Sequence, residues 1–373
     1  MSKIGILSMQ RIVNYGSFLQ AYALKQLIEG LGHQVEFVDY RVGEPVITDK
    51  GNSQNRLVRT ASKVIETFGY HAPFRHKLAY LKYKRQFADK YMPWLGVTKE
   101  YNYTPELDCL VIGSDEVFNC IQKNSNVGYS PELFGKDNRA KRLISYAGSF
   151  GNTTMEKLKR YHKDGEIGAL LSDFDAISVR DENSRNVVAQ LTGRKAEVHL
   201  DPVLSYDYIK DCHRIPKLSV QEKYMILYAY SGRISDEEAE WIGDYAKRKG
   251  MKVYAFGGIQ KCADRFIDCS PFEVLAYFQG AEEIITDTFH GSIFSIITRK
   301  PFTTLVRKSV GEGYGNEEKL TDLLNRLGLQ ARLTYRVEES EAINAAPICY
   351  EKVDECLNSY RERTKAYLKE HLG

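Results

Sequence analysis

The stretch Ile284-Ile285-Thr286-Asp287-Thr288-Phe289-His290-Gly291-Ser292 changes its secondary structure halfway along. Ile284, Ile285 and Thr286 are β-branched and suit a short buried strand. The run stops at Asp287, and Phe294, Ile296 and Ile297 then carry an apolar helical pattern through 290–298. A strand that turns directly into a helix is half of a βα unit, and the same alternation recurs along most of the chain. Strands are expected near 3–8, 35–39, 108–112, 142–147, 175–179 and 197–200, with helices near 17–31, 154–171 and 181–192. A second series has strands near 224–230, 252–256, 283–287 and 302–306 and helices near 235–249, 271–279, 290–298 and 317–327. The class is therefore α/β, with parallel sheets in doubly wound, Rossmann-like domains.

A chain of 373 residues exceeds what one hydrophobic core usually serves, so two domains are expected. Asp201-Pro202 and Ile215-Pro216-Lys217 interrupt the pattern and place the boundary there, giving a first domain over 1–215 and a second over 216–349. Residues 54–92 read as a mostly helical insertion in the first domain. It is rich in Arg56, Arg59, Lys63, Arg75, Lys77, Lys82, Lys84, Arg85 and Lys90 against Glu66 and Asp89. Such a run is either a solvated face or a surface for anionic headgroups or a diphosphate-linked acceptor. In 350–371, Val353, Leu357, Tyr360, Thr364, Tyr367 and Leu368 recur at gaps of four and three, one apolar stripe that requires a partner surface. The first domain is the expected partner.

Composition excludes several classes. With 43% hydrophobic and 27% charged residues the chain is an ordinary globular one, and a net charge of +3 gives no ground for nucleic-acid binding. The first residues lack a signal-peptide pattern and no apolar run approaches eighteen residues, so a cytoplasmic protein is expected, with attachment at the inner face of the membrane left open. Seven cysteines, an odd number with no CxxC pair, read as reduced thiols. No GxGxxG follows the first strand, and Walker A and GxSxG sequences are absent. Asp173-Phe174-Asp175 has a DxD spacing but bridges a helix end and a strand, which is read as coincidence.

Ligands of open α/β sheets bind beyond the carboxyl ends of the strands, where helix N-termini offer free N–H groups. Four junctions carry suggestive residues. At Ser8 to Ser17, Gly16 admits close approach and Asn14 can donate and accept hydrogen bonds; the alternative is a turn capped by Ser17. Gly113-Ser114-Asp115 is either a cleft with Asp115 oriented on a hydroxyl or an ordinary turn. Arg180 ends a strand, either to recognise carboxylate and phosphate or to make a structural ion pair. His290 falls in a first helical turn beside Asp287 and Thr288, where a bound dianion would favour the imidazolium.

Asn14-Tyr15-Gly16-Ser17-Phe18-Leu19-Gln20-Ala21-Tyr22-Ala23-Leu24, Gly113-Ser114-Asp115-Glu116-Val117-Phe118-Asn119, Tyr146-Ala147-Gly148-Ser149-Phe150-Gly151, Ser178-Val179-Arg180, Asp201-Pro202 and Thr286-Asp287-Thr288-Phe289-His290-Gly291 together resemble the polysaccharide pyruvyl transferase family, in order, over about residues 4–332. The resemblance implies a GT-B-type pair of Rossmann-like domains with an interdomain cleft. It also implies transfer of pyruvyl from phosphoenolpyruvate to two hydroxyls of a sugar, or of a lipid-linked oligosaccharide, in capsular, exopolysaccharide or cell-wall glycan synthesis. The product would be a cyclic ketal and phosphate, with no cofactor and no metal.

Carried over residue by residue, it assigns catalysis to His290, Arg180 and Asp287. Donor binding falls to Arg180, Thr288, His290, Gly291 and Lys308, and acceptor binding to Asn14, Tyr15, Gly16, Ser114 and Asp115. His290 would donate a proton or hold phosphate. Glu116 and Phe118 stand where the family usually has Gln and Trp, and Lys319 where it often has Arg; these departures bear on the identity of the acceptor more than on that of the donor. Arg307, Lys308, Gly311 and Asn316 lie in a loop that either covers the donor or is plain surface. An Arg180 that faces substrate is expected to tolerate replacement by Ala without loss of stability. The competing readings are a nucleotide-sugar-dependent glycosyltransferase and a noncatalytic binding protein of a polysaccharide cluster.

Overall fold

A computed structural model describes residues 1–47, 56–308 and 316–373, with the side chains of 56–61 outside the description. Gly311 of the loop named above therefore lies outside the described residues, as do the first two residues of the basic insertion. The chain divides into two compact units. One comprises Met1–Gly51, Met92–Tyr206 and Cys356–Gly373, and the other Asn52–Tyr91 and Asp207–Glu355.

The first unit is built on β1 (Lys3–Leu7), β2 (Gln34–Phe37), β3 (Cys109–Asp115), β4 (Leu143–Gly148), β5 (Ser178–Val179) and β6 (Glu197–Val198). All pair in parallel, in the order β2-β1-β3-β4-β5-β6. Ile4, Ile6 and Leu7 of β1, Leu110 to Ile112 of β3 and Ile144 of β4 are buried, as strands covered on both faces require. The connection after β1 enters the helix Tyr15–Glu29, whose N-cap is Asn14: its side chain accepts from Gly16 N at 2.7 Å. Ser17, the cap considered from sequence, lies inside the first turn instead.

The second unit contains β7 (Tyr224–Ala229), β8 (Lys252–Gly257), β9 (Arg265–Phe266), β10 (Glu283–Thr286), β11 (Phe302–Leu305) and β12 (Leu333–Thr334), ordered β9-β8-β7-β10-β11-β12 and again parallel. This is the strand order of a dinucleotide-type Rossmann sheet. Its helices begin where the chemistry of their first residues dictates. Ser235 with Glu238, and Ser270 with Glu273, form reciprocal capping boxes, the second with Pro271 at the first helical position. The helix Phe289–Ile297 is fixed to the sheet by Phe294, stacked on Tyr228 with ring centroids 6.0 Å apart.

The basic insertion corrects the sequence reading. Its helices Arg56–Gly69 and Phe74–Tyr91 belong to the second unit, not the first. The reason is an aromatic seam: Tyr80 and Tyr83 meet Phe266 of β9 edge-on at 5.6 and 6.0 Å, and Arg75 Nη2 donates to the Asp264 carbonyl at 2.9 Å. The insertion thus leaves the chain within the first series of strands yet finds its partner surface on the second sheet.

The terminal helix Tyr350–Leu372 carries the foreseen stripe. Val353, Leu357, Thr364, Tyr367 and Leu368 are buried and Tyr360 is half-buried. From Cys356 on, the chain is part of the first unit. Tyr367 Oη donates to the Ser145 carbonyl of β4 at 2.8 Å, Thr364 Oγ1 lies 3.0 Å from Tyr146 Oη, and Arg361 Nε donates to the Leu204 carbonyl at 3.0 Å. Tyr367→Phe should therefore cost about 1 kcal/mol, because a buried carbonyl loses its donor. Leu368→Ala should cost roughly 2–5 kcal/mol by opening a cavity. Urea denaturation measures both, and two neutral results would mean that the helix merely lies on the surface.

Candidate active site

Each sheet has one place where neighbouring strands send their following loops in opposite directions, and ligands of such sheets bind there. In the second unit it lies between β7 and β10. The β7 end leads into Tyr230-Ser231-Gly232-Arg233, and the β10 end into Asp287-Thr288-Phe289-His290.

The residues of 286–292 divide into supports and presented groups. Thr286 Oγ1 donates to the Tyr228 carbonyl at 2.7 Å and accepts from Thr288 N at 3.0 Å. Thr288 is the helix N-cap and accepts from Gly291 N at 2.9 Å. A Cβ at Gly291 would come within 2.1 Å of Thr286 Oγ1, so only glycine lets the helix approach the strand this closely. Thr288 and Gly291, expected among the donor-binding residues, are therefore occupied in building the corner.

Asp287 is 0% exposed, and neither carboxylate oxygen has a hydrogen-bond partner among the described residues. Arg233 Nη1 lies 3.7 Å from Oδ2. Burial pushes the carboxyl up to about 6, against the opposing pull of Arg233, Arg307 and Lys319 and with a further push from Glu238. The backbone at Asp287 is fixed separately: Asn316 Nδ2 donates to its carbonyl at 2.6 Å, while Asn316 Oδ1 accepts from Arg307 N at 2.6 Å. Arg307 in turn forms a two-pronged bond to Glu238, at 2.6 and 3.0 Å. A buried acid with a raised pKa beside several charged groups marks this corner as a candidate site.

His290 is half-buried in the first helical turn, its ring edge-on to Phe289 at 5.6 Å and tilted over Phe294 at 6.0 Å. Lys308 is exposed with its ammonium 5.1 Å from the Tyr335 ring centroid, so no contact ties it to Asp287. Arg233 and Glu238 escaped the sequence reading, and Lys319 entered it only as a departure from family pattern. Arg233 follows the first strand of the second unit, and the strand order that brings β7 beside β10 was the signal pointing to it.

In the first unit the switch lies between β1 and β3. Asp115 ends β3 in the left-handed region, φ 69°, as does Ala147 of the neighbouring strand β4 at φ 47°, with Gly113 at φ 132° two residues before Asp115. Non-glycine residues adopt such angles at a cost, and strand ends that keep them are typical of functional corners. Ser17 Oγ donates to Asp115 Oδ2 at 2.8 Å, and Arg180 Nη1 stands 3.6 Å from Oδ1. Asp115 keeps part of its carboxylate exposed.

The other foreseen acceptor residues are placed differently. Ser114 is buried and donates to the Ala147 carbonyl at 3.1 Å. Tyr15 is buried as well, and Gly16 is held by the Asn14 cap. Phe118 is wholly buried against Phe134 and Phe150, at 5.3 and 5.4 Å, so its departure from the family pattern is a change of core packing.

Arg180 corrects another expectation. It is 2% exposed, donates to Asp201 Oδ2 at 3.1 Å and belongs to the first unit, away in sequence and in unit from His290 and Asp287. Burial opposes its charge, but the carboxylates of Asp201, Asp115, Glu116 and Asp181 outweigh that and raise its pKa. Arg180 thus makes a buried ion pair with Asp201 and stands close to Asp115.

Among the described residues no group of three or more His, Cys, Asp and Glu is placed to hold a metal ion, and no helix is long and apolar enough to cross a membrane.

The whole architecture has counterparts among solved structures. The S. aureus MnaA–UDP complex aligns with 100% of this chain and 97% of its own at TM-score 0.54 and 10% identity. A Listeria monocytogenes protein assigned as a UDP-N-acetylglucosamine 2-epimerase aligns with 99% and 96% at TM-score 0.53 and 9% identity. A Thermobaculum terrenum O-GlcNAc transferase mutant covers 99% of this chain, which spans 66% of that one, at TM-score 0.44 and 11% identity. The first two likenesses make the fold the GT-B type, two Rossmann-like units in one chain. Among curated proteins none matches the sequence. The sequence model described as polysaccharide pyruvyl transferase matches residues 14–309, and the chain belongs to that family.

Two expectations follow from the charges. Arg180→Ala leaves the Asp201 and Asp115 carboxylates without their cation and should destabilise the fold by about 3–5 kcal/mol, read as a clear fall in Tm; an unchanged Tm would restore a substrate-facing Arg180. For Asp287 the folded pKa is raised, so the folded state binds the proton more tightly than the unfolded one. Stability is then lost as pH rises from the usual 3.8 through about 6. Asp287→Asn should gain stability relative to the parent between pH 4 and 8, by up to about 3 kcal/mol. Thermal melts across that range check it, and a pH-independent difference would mean the carboxyl is not perturbed.

Proposed function

We propose that the protein transfers the pyruvyl group of phosphoenolpyruvate to two hydroxyls of one sugar, releasing phosphate. The observation that carries this reading is the second unit's corner: a helix N-terminus and the cations Arg233, Arg307 and Lys319 around the buried Asp287. Phosphoenolpyruvate carries a carboxylate and a phosphate, and it suits a site richer in cations than in acids. Family membership supports a transferase acting in polysaccharide synthesis.

The chemistry begins at the second unit's corner. His290 gives its proton to the methylene carbon of the enolpyruvyl group, and the adjacent carbon becomes an oxocarbenium-like electrophile. Asp287 holds the surrounding cations in place rather than meeting the substrate, since it is wholly buried. The positive end of the helix Phe289–Ile297 draws the phosphate oxygens. The attacking sugar hydroxyl gives its proton to a general base. The C–O bond to phosphate then breaks, the second hydroxyl adds to the same carbon, and its proton leaves with the phosphate or returns to His290. The methylene has become a methyl group, and two C–O bonds to sugar replace the double bond and the phosphoester. No cofactor enters this balance.

Incubation with phosphoenolpyruvate and a panel of galactosides, glucosides and N-acetylmannosaminides, free and lipid-linked, should give acceptor-dependent phosphate release and a pyruvylidene mass gain. His290→Ala should lower turnover at least about a hundredfold with an unchanged Tm. Turnover of a sugar nucleotide without any phosphoenolpyruvate consumption would replace this reading with a glycosyltransferase.

A further inference from the structure

The helix pair of the second unit has two faces that behave differently. Tyr80, Tyr83 and Phe87 turn inward to the seam with Phe266, so the need of these helices for a partner is met on that side. On the other side apolar groups protrude. Ile65 is 72% exposed, Phe68 40%, Phe74 65% and Leu78 48%, four of the ten large exposed hydrophobic side chains among the described residues, all within one turn-connected segment. Phe68 and Phe74 flank the turn between the helices with ring centroids 5.8 Å apart.

Cations surround this patch. Residues 62–91 hold seven Lys and Arg against Glu66 and Asp89, a local excess larger than the net +3 of the entire chain. Lys63, Arg75, Lys82, Arg85 and Lys90 are exposed, and Lys77 Nζ donates to the Phe68 carbonyl at 2.8 Å beside the aromatic pair.

The combination selects among partners. A nucleic-acid backbone would use the charge but offers no apolar medium for Ile65 or Phe74. A second copy of the chain would offer that medium but would bring the same positive excess against this one. A bilayer with anionic headgroups satisfies both features, since apolar tips enter the headgroup–acyl boundary while Lys and Arg stems reach outward to phosphates.

We infer that the helices Arg56–Gly69 and Phe74–Tyr91 form a docking element for an anionic lipid surface, with Ile65, Phe68, Phe74 and Leu78 inserting at the interface. It holds the unit that carries Asp287 and His290 at the membrane, where a sugar tethered to lipid would be met. The inference does not depend on pyruvyl transfer, and its test uses no substrate.

The full-length protein is sedimented with phosphatidylcholine vesicles, with and without phosphatidylglycerol, at low and high salt. Binding is expected to the anionic vesicles only, weakened by salt. It should fall about tenfold in Lys82→Glu/Arg85→Glu and by at least as much in Phe68→Ser/Phe74→Ser. Both variants should keep the parent Tm, which separates loss of docking from loss of fold. Absence of binding by the parent, equal binding to neutral vesicles, or full binding by both variants overturns the inference. A parent dimer that the Phe variant abolishes, without vesicle binding, overturns it in favour of self-association.

Discussion

In a parallel sheet every strand needs a crossover to reach its neighbour's start, and both units place their first strand in the interior of the sheet. β1 lies between β2 and β3, and β7 between β8 and β10. Successive helices must then cover opposite faces, and the loops beyond β1 and β3, or beyond β7 and β10, part from each other. Everything chemically distinctive stands at those two partings. Asp115 and Ser17 occupy one, while Arg233, Asp287 and His290 occupy the other. The strand order sets where a ligand can enter before any particular side chain is considered.

Charge compensation differs between two buried ions. Arg180 and Asp287 are comparably buried, yet their surroundings differ. Arg180 has Asp201 in hydrogen-bond contact and Asp115 near it, and that attraction exceeds the penalty of burial. Asp287 has cations at longer range and no hydrogen bond to either oxygen among the described residues, so burial dominates and its pKa rises to about 6. The first is a close ion pair, and the second is an acid whose burial outweighs the pull of the cations near it.

Much of the fold was legible in the sequence because parallel strands are continuous apolar runs and their helices start at recognisable caps. The strand at 283–287, the helix at 290–298 and the stripe from Val353 to Leu368 all depend on local periodicity, which a sequence displays directly. The partner of the basic insertion was not legible. Phe266, which captures Tyr80 and Tyr83, lies almost two hundred residues downstream, and nothing in 54–92 states which sheet its aromatic face will meet. The burial of Arg180 was hidden for the same reason, since Asp201 and Asp115 are brought to it only by pairing of strands distant in sequence. Arg233 was missed because its loop has no motif; only the order of strands gives it a place.

The segment from Thr286 to Gly291 shows why a matching motif is an unreliable list of ligand contacts. Six consecutive residues at a strand–helix corner face several demands at once. The strand needs a hydroxyl to hold its neighbour's carbonyl, the helix needs a cap, and the first turn must come close enough to the sheet to be packed. Thr286, Thr288 and Gly291 meet those demands through a chain of hydrogen bonds and a missing side chain. Because they do so, Asp287 is forced inward without a donor and His290 is left half-exposed at the helix start. Substituting a support would move both presented groups, so loss of activity at Thr288 or Gly291 carries no information about ligand contact unless the corner's stability is measured alongside it.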